Sequence, residues 1–487
     1  MTEPTSTSAP PLSEPPTEVS GDAESSPGSD FSSDVGARNI AEAARGYLQR
    51  VRGGEVGALP ALAGVLVLVV VFANASNVFL SKGNFANFLT QAAPTAVLAM
   101  GLVFVLLLGE IDLSAGTASG VCAATMAIAL VHKGNLHSAL GTPTYLAMLG
   151  LMIAMAAVTV FYRLWFATAF IGVGVALILT GVDKNALAAI FVSISVGVAI
   201  GTLIGFLVAR IGIPSFVVTL ALFLAWQGVL LQLIGLGSAV PVRQFDLINK
   251  IENQNMSPTW SWILWLVAVG GYAAYTVIRS IRRRAAKLTA EPLDLVVLRV
   301  ALIGAATGVA LWVLNQDRST TVFVKIQGVP YVVPIIAVVF IGWTLILSKS
   351  RYGRFVYAVG GNTEAARRAG IDTVRVRLSV FVIASGMAGL AGVIQASKQG
   401  GVDTAFGNGT TLLYAVAAAV IGGTSLFGGK GKMRDAIIGA LVIAMIPNGL
   451  GLLRNIKPSY EFLITGLVLL LAASVDALSR KRAAAGR

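Results

Sequence analysis

Apolar runs of about 20 residues recur fourteen times along this chain, and nothing constrains its fold more. They lie near 58–80, 88–108, 112–131, 145–161, 164–181, 186–209, 215–236, 260–278, 293–314, 331–348, 378–397, 410–427, 435–453 and 460–479. As a helix, a run of about 20 residues crosses a hydrocarbon core about 30 Å thick. Backbone groups there find no water, so only helices or a closed barrel span it. These runs are continuously apolar rather than alternating, which excludes the barrel. The expected fold class is therefore all-α, a polytopic transmembrane helical bundle with 10–14 true spans. Composition agrees: 56% of residues are hydrophobic and 12% charged, against about 25% charged in a soluble domain. The stretch 145–181 as one helix would reach about 55 Å, too long for a span, and is expected to break into a hairpin at Tyr162-Arg163-Leu164.

Charge orients the bundle. With a cytoplasmic N-terminus, the even-numbered connections face the cytoplasm. They carry Arg279, Arg282, Arg283, Arg284 and Lys287 in one loop and seven bases against two acids in 349–377. Lys430, Lys432 and Arg434 follow, then Arg480, Lys481, Arg482 and Arg487. The odd connections are balanced, as with Arg243 and Lys250 against Asp246 and Glu252. Both termini are thus expected to be cytoplasmic. Residues 1–54 form a separate regime, Ser/Pro-rich with eight acids and four bases, and are expected to be a disordered cytoplasmic tail. The transmembrane core occupies 55–479 and a basic cytoplasmic tail 480–487.

Several chemistries are excluded. The net charge of +13 follows from the positive-inside pattern and calls for no nucleic acid. Cys122 is the one cysteine and His132 and His137 the two histidines, too few ligands for a built metal site. GGTSLFGGKGK, residues 422–432, does not have Walker spacing. Counting back from Gly429-Lys430, Thr424 stands where the first glycine belongs, and Gly431 follows the lysine. Its glycines fit a tight cytoplasmic turn and close helix packing. No paired titratable groups suggest a membrane enzyme. Glu110 and Asp112 in GEIDLS are ionisable groups among apolar runs. They stand either at an interfacial helix end or in a broken helix lining a cavity, and the small residues 114–120 favour tight packing.

The loop 349–377 is soluble in character. Gly360-Gly361 permits a turn, Asn362 or Thr363 can cap, and Glu364 suits the first turn. Arg367 and Arg368 lie three and four residues after Glu364 on one helix side, and Gly370 ends the helix. So short a helix is not stable alone. It docks on headgroups, on the chain's own loops or on another protein.

GRFVYAVGGNTEAARRAGIDTVRVRLSVFVIASGMAGLAGVI, with this loop inside it, resembles the cytoplasmic loop and following span of ribose- and xylose-type ABC sugar importer permeases. GEIDLSAG resembles that family's GGIDLSVG, with Glu110 in place of a glycine. IPSFVVTLALFLAWQG and AVAAAVIGGTSLFGGKGKMRDAIIGAL resemble its third and fourth signatures. The Ala-Trp-Gln-Gly ending at 225–228 looks closest to the xylose-type branch. The matches spread in order from about residue 88 to 479. The resemblance implies a homodimer of the permease in a bacterial plasma membrane, with separate ABC ATPase subunits and an extracytoplasmic sugar-binding protein. It also implies that 362–371 is the coupling helix, with Asn362, Thr363, Glu364, Arg367, Arg368, Gly370 and Ile371 at the ATPase. No cofactor is expected in this chain, since ATP and magnesium belong to the ATPase. Compact members have about ten spans, so 135–185 and 238–325 hold the extra segments and inherit no roles. For the substrate path, hydrogen-bonding and aromatic groups are the candidates: Gln91, Thr95, Asp112, Ser114, Thr117, Thr219, Trp226, Gln227, Tyr414 and Asn448. Each equally suits a helix–helix hydrogen bond. The leading expectation is import of a pentose such as xylose. The alternatives are a branched-chain amino-acid or nucleoside ABC permease and a self-sufficient secondary transporter.

Overall fold

A computed structural model of the chain describes residue 45 and residues 59–286, 292–319, 325–453, 457 and 459–485. The acidic tail assigned to 1–54 lies outside the described residues, Arg45 apart, as do Lys287 and Arg487. In chain order the helices are α1 (Leu59–Ala75), α2 (Lys82–Leu107), α3 (Ala115–Val131), α4 (Leu136–Phe161), α5 (Trp165–Thr180) and α6 (Ala186–Phe206). Then come α7 (Ser215–Ile234), α8 (Asp246–Asn253), α9 (Pro258–Ala285), α10 (Leu293–Asn315), α11 (Val332–Lys349) and α12 (Arg351–Gly361). The last are α13 (Thr363–Arg368), α14 (Thr373–Gln399), α15 (Gly409–Gly422), α16 (Met433–Gly451) and α17 (Ser459–Ala485). Each of the fourteen apolar runs forms one helix, while α8, α12 and α13 fall between runs. α17 continues to Ala485, as suits an alanine-rich stretch with cations at a helix C-terminus.

Among the described residues, nine helices are long and apolar enough to cross a membrane: α2, α4, α6 with its continuation to Ile211, α7, α9, α10, α11, α14 and α16. The remaining apolar helices include shorter ones. α3 has 17 residues and α15 has 14, or roughly 25 and 21 Å of rise. The hairpin expected within 145–181 is present. α4 ends at Phe161, Arg163 adopts φ +54°, and Leu164 N–H donates to the Thr159 carbonyl at 2.8 Å.

Burial separates a core from a periphery. In the apolar windows of α2 and α14, 78% of residues are buried, against 6% in α9 and 11% in α10. The core seam runs between antiparallel α6 and α14. Gly197, Gly201 and Gly205 of α6 recur every fourth residue and lie on Ser385, Phe381 and Leu378. A Cβ at Gly201 would run into the Phe381 carbonyl, so the small-residue spacing sets how closely these helices approach. α2 is joined to α16 by a reciprocal amide pair. Asn84 Nδ2 donates to Asn448 Oδ1 at 2.9 Å, and Asn448 Nδ2 donates back at 3.0 Å. At the edge, α9 and α10 hold mainly to each other, with Trp265 Nε1–H donating to Thr307 Oγ1 at 2.9 Å.

The connections sort by parity. At one end, the α2–α3, α4–α5, α11–α14 and α15–α16 connections meet through Arg377–Glu110, Arg375–Arg163 and Gly429–Leu107 contacts. At the other, β1 (Ala239–Pro241) pairs antiparallel with β2 (Gly401–Asp403), Val240 opposite Val402. Asn255 bridges Pro330 there. These four even connections thus share one end, and the basic residues of 349–377 and of Lys430, Lys432 and Arg434 lie in two of them.

Candidate functional site

The even-connection end is built around α12 and α13. Ser350 caps α12, accepting from Gly353 N–H at 3.0 Å, and α12 buries Val356 and Val359. Tyr357 O–H at its side donates to the Gly431 carbonyl at 2.6 Å, holding α12 against the glycine-rich loop. The chain then opens at Asn362 (φ −158°, ψ 102°), whose side chain accepts from Ala365 N–H at 2.9 Å and starts α13. Thr363, the other cap candidate, instead turns its hydroxyl back to the Val359 carbonyl at 2.9 Å.

α13 is six residues long, shorter than the 362–371 span expected for it. Gly370 at φ +80° ends it. One side is held: Ala366 is buried, and its carbonyl accepts from Ile371 N–H at 3.1 Å. The other side is charged and open. Glu364 pairs with Arg367 at 2.8 Å and Arg368 at 3.1 Å, and all three side chains are at least half exposed. Hydrogen bonds from Arg367, then Arg368, hold the Glu364 carboxyl below the usual carboxylate range. α13 therefore presents a preformed charge cluster on a short helix fixed only at its base.

That base reaches the bundle. Asp372 caps α14, accepting from Arg375 N–H at 3.0 Å, and Arg375 Nη2–H donates to the Arg163 carbonyl at 2.7 Å. Arg377 Nε stands 3.1 Å from Glu110 Oε1. Gly429 N–H donates to the Leu107 carbonyl at 2.8 Å. Gly360 packs so closely on that same carbonyl that a Cβ would collide with it.

Four path candidates lie together just beyond. Asp112 Oδ1 accepts from Ser114 N–H at 2.9 Å and Ser114 O–H at 2.7 Å. The Thr117 hydroxyl donates to the Ser114 carbonyl at 3.1 Å. Thr219 O–H reaches the Ile111 carbonyl at 3.2 Å, while Ile111 N–H donates to Ser215 Oγ at 3.2 Å. This is a nonhelical break between α2 and α3, tied to α7 at both polar groups of Ile111. Asp112 is buried and its Oδ2 has no hydrogen-bond partner. The remaining candidates do not join this group. Gln91 and Thr95 are half-buried on α2. Trp226 is buried on α7 with Nε1 unpartnered, and Gln227 beside it is exposed. Tyr414 O–H donates to Glu461 Oε1 at 2.6 Å, and Asn448 is engaged by Asn84. His137 contacts Thr142 Oγ1 at 3.1 Å and sets its ring edge-on to Tyr145. Among the described residues no group of three or more His, Cys, Asp or Glu is placed to hold a metal.

At the opposite end, α8 lies on the last turn of α14. Glu252 N–H donates to Ser397 Oγ at 3.1 Å, and Asn253 Nδ2 to the Ser397 carbonyl at 2.9 Å. Glu252 is 7% exposed with both carboxylate oxygens unpartnered. Burial pushes its carboxyl up to about 8, against the opposing charge of Lys398. Sequence reasoning counted Glu252 and Arg377 only as loop charges and passed over Asn84, Ser215 and Glu461. Glu461 alone carried a signal, being an acid at the edge of an apolar run.

Nine membrane-length helices among the described residues, a buried small-residue seam and a charged helix at one end define a multi-pass membrane protein. The chain matches, over residues 84–473, the family described as branched-chain amino acid transport system / permease component. It belongs to that family, and is thus a permease component rather than an enzyme. It is 29% identical over 423 residues to the xylose transport system permease protein XylH of Escherichia coli, covering 86% of this chain and 92% of that protein. To the ribose import permease protein RbsC of Escherichia coli it is 39% identical over 149 residues, 31% of this chain and 46% of that one. To the D-allose transport system permease protein AlsC it is 39% identical over 160 residues, 32% and 48% of the two chains. No solved structure matches.

Proposed function

We propose that this chain is the transmembrane subunit of an ATP-binding-cassette importer for a monosaccharide, a pentose such as xylose, in a bacterial plasma membrane. The observation that carries the energy-coupling part is α13, whose open face is charged and whose buried side is one alanine. A helix this short gains little from its own hydrogen bonds. Its exposed pairs contribute little stability by themselves, so the cluster suits recognition better than folding. In this reading Asn362, Thr363, Glu364, Arg367, Arg368, Gly370 and Ile371 form the contact with separate ATPase subunits, which hold ATP and magnesium. A second copy of the permease completes the pathway, and an extracytoplasmic binding protein delivers the sugar. The long match to a xylose permease supports the substrate class. Asp112, Ser114, Thr117 and Thr219 form the polar part of the path nearest the cytoplasmic exit.

The test is co-purification from native membrane. Glu364→Ala with Arg368→Glu is expected to lose the ATPase subunit or to separate hydrolysis from labelled-xylose uptake. Unchanged assembly together with unchanged uptake would sink the docking role. A second reading, import of a branched-chain amino acid, is favoured by the description of the matched family. Labelled leucine taken up in place of labelled xylose would establish it.

A further inference from the structure

We infer that the Glu110–Arg377 pair is the link by which movement of the docking helix α13 reaches the break between α2 and α3. The inference rests on the docking reading. Three observations carry it. First, Arg377 is rigidly continuous with α13. Ile371 is bonded back to Ala366, Asp372 caps α14, and Arg377 lies in the first turns of that helix. Second, Arg377 Nε meets Glu110 Oε1 at 3.1 Å with only 33% and 15% of the two side chains exposed. The N–H is not aligned for a hydrogen bond, so this is a charge contact that tolerates sliding. Third, Glu110 directly precedes Ile111, which bonds to both Ser215 and Thr219 of α7, and Asp112, which holds Ser114. A shift of α14's first turn therefore pulls on the nonhelical stretch that carries Asp112 and Ser114 and is bonded to Thr219 of α7. Two further contacts, Gly429 to Leu107 and Gly360 against Leu107, pin the end of α2. Glu110 N–H also donates to the Val105 carbonyl at 3.2 Å, so a pull on Glu110 passes on to Ile111 and its α7 partners. A half-buried charge pair is also less screened than the open pairs on α13. Glu110 and Arg377 are positioning residues in this scheme and touch no substrate.

The test uses the complex of this chain with its co-purified ATPase subunits, and amide hydrogen exchange with and without a nonhydrolysable ATP analogue. In the wild type the nucleotide is expected to change exchange at both 362–371 and 107–114. Coupling energies of the usual size correspond to at least about a fivefold change. In Glu110→Gln the change at 362–371 persists, while that at 107–114 falls well below about fivefold, toward no coupling. Arg377→Lys keeps the charge and retains the response, as does the reversed pair Glu110→Arg with Arg377→Glu. A full response at 107–114 in Glu110→Gln overturns the link while leaving docking intact. No response at 362–371 in the wild type overturns docking itself. Should Glu110→Gln not assemble, the reversed pair decides: an assembled complex without a response at 107–114 rejects the link.

Discussion

Two asparagines 364 positions apart, Asn84 and Asn448, exchange both of their amide hydrogen bonds inside the bundle. Asn84 Nδ2 also donates to the Phe79 carbonyl at 2.9 Å, so replacing Asn84 strands the Asn448 amide more than the reverse. A double-mutant cycle of Asn84→Ala and Asn448→Ala, read by thermal unfolding in detergent, is expected to give a coupling near 0.6 and at most about 1.7 kcal/mol. Additive effects would mean the pair is incidental. Glu252 makes a second residue-scale case. Its carboxyl keeps a proton in the folded chain up to about pH 8, whereas an unfolded glutamate releases it near about pH 4.3. Between these values the unfolded chain binds fewer protons, so this group's contribution lowers stability as pH rises. Glu252→Gln is expected to flatten that decline between pH 5 and 8, and a slope identical to wild type would reject the assignment. Glu364 has the opposite sign. Its carboxyl is depressed, so its pairing with Arg367 and Arg368 is complete above the ordinary carboxylate range and is lost only as pH falls below it. Co-purification of the ATPase is therefore expected to be flat from pH 5 to 8, and a sharp loss near pH 6 would point to another group.

At the scale of elements, the α6–α14 seam and the α13 module obey different rules. The seam depends on glycines that let two backbones meet, so Gly201→Val is expected to destabilise by about 1–3 kcal/mol or more, the usual result of overpacking. Unfolding in denaturant-titrated micelles measures it, and a loss below about 0.5 kcal/mol, typical of a surface site, would count against close contact there. α13 has almost no core of its own, and its charges touch one another rather than the bundle. The caps and the Glu364–Arg367–Arg368 grouping were readable from Asn-Thr-Glu-Ala-Ala-Arg-Arg, because capping and i,i+3 or i,i+4 pairing are local. The Arg377–Glu110 contact was not, since it joins a loop charge to a break 267 residues earlier.

For the whole molecule, burial divides the bundle into a dense centre of α2, α6, α14 and α16 and a loosely attached hairpin of α9 and α10. The hairpin touches the rest chiefly where Leu311 and Leu314 meet Phe85 and Leu89. Local stability follows the density of buried contacts. Amide exchange is expected to be slowest in α6 and α14 and faster in α9 and α10. The reverse order would show that a partner, lipid or second copy holds the hairpin more firmly than the core holds itself. Charge and contact agree for two basic even loops: 349–377 and the loop of Lys430, Lys432 and Arg434 meet at one end.

The sequence by itself determined the all-α membrane class, the fourteen helices, the break at Tyr162–Leu164 and the capped helix near 362–371. These follow from residue type at short range: apolar length, glycine and asparagine at turns, and charge on loops. Only the tertiary structure decided which helices are central, that Asn448 faces Asn84, and that Asp112, Ser114, Thr117 and Thr219 gather beside Ile111. It also revealed Glu252 as a buried acid and brought Arg377 to Glu110. Every one of these depends on how helices distant in sequence pack. In a chain whose helices are apolar on nearly all sides, periodicity does not say which face is inside.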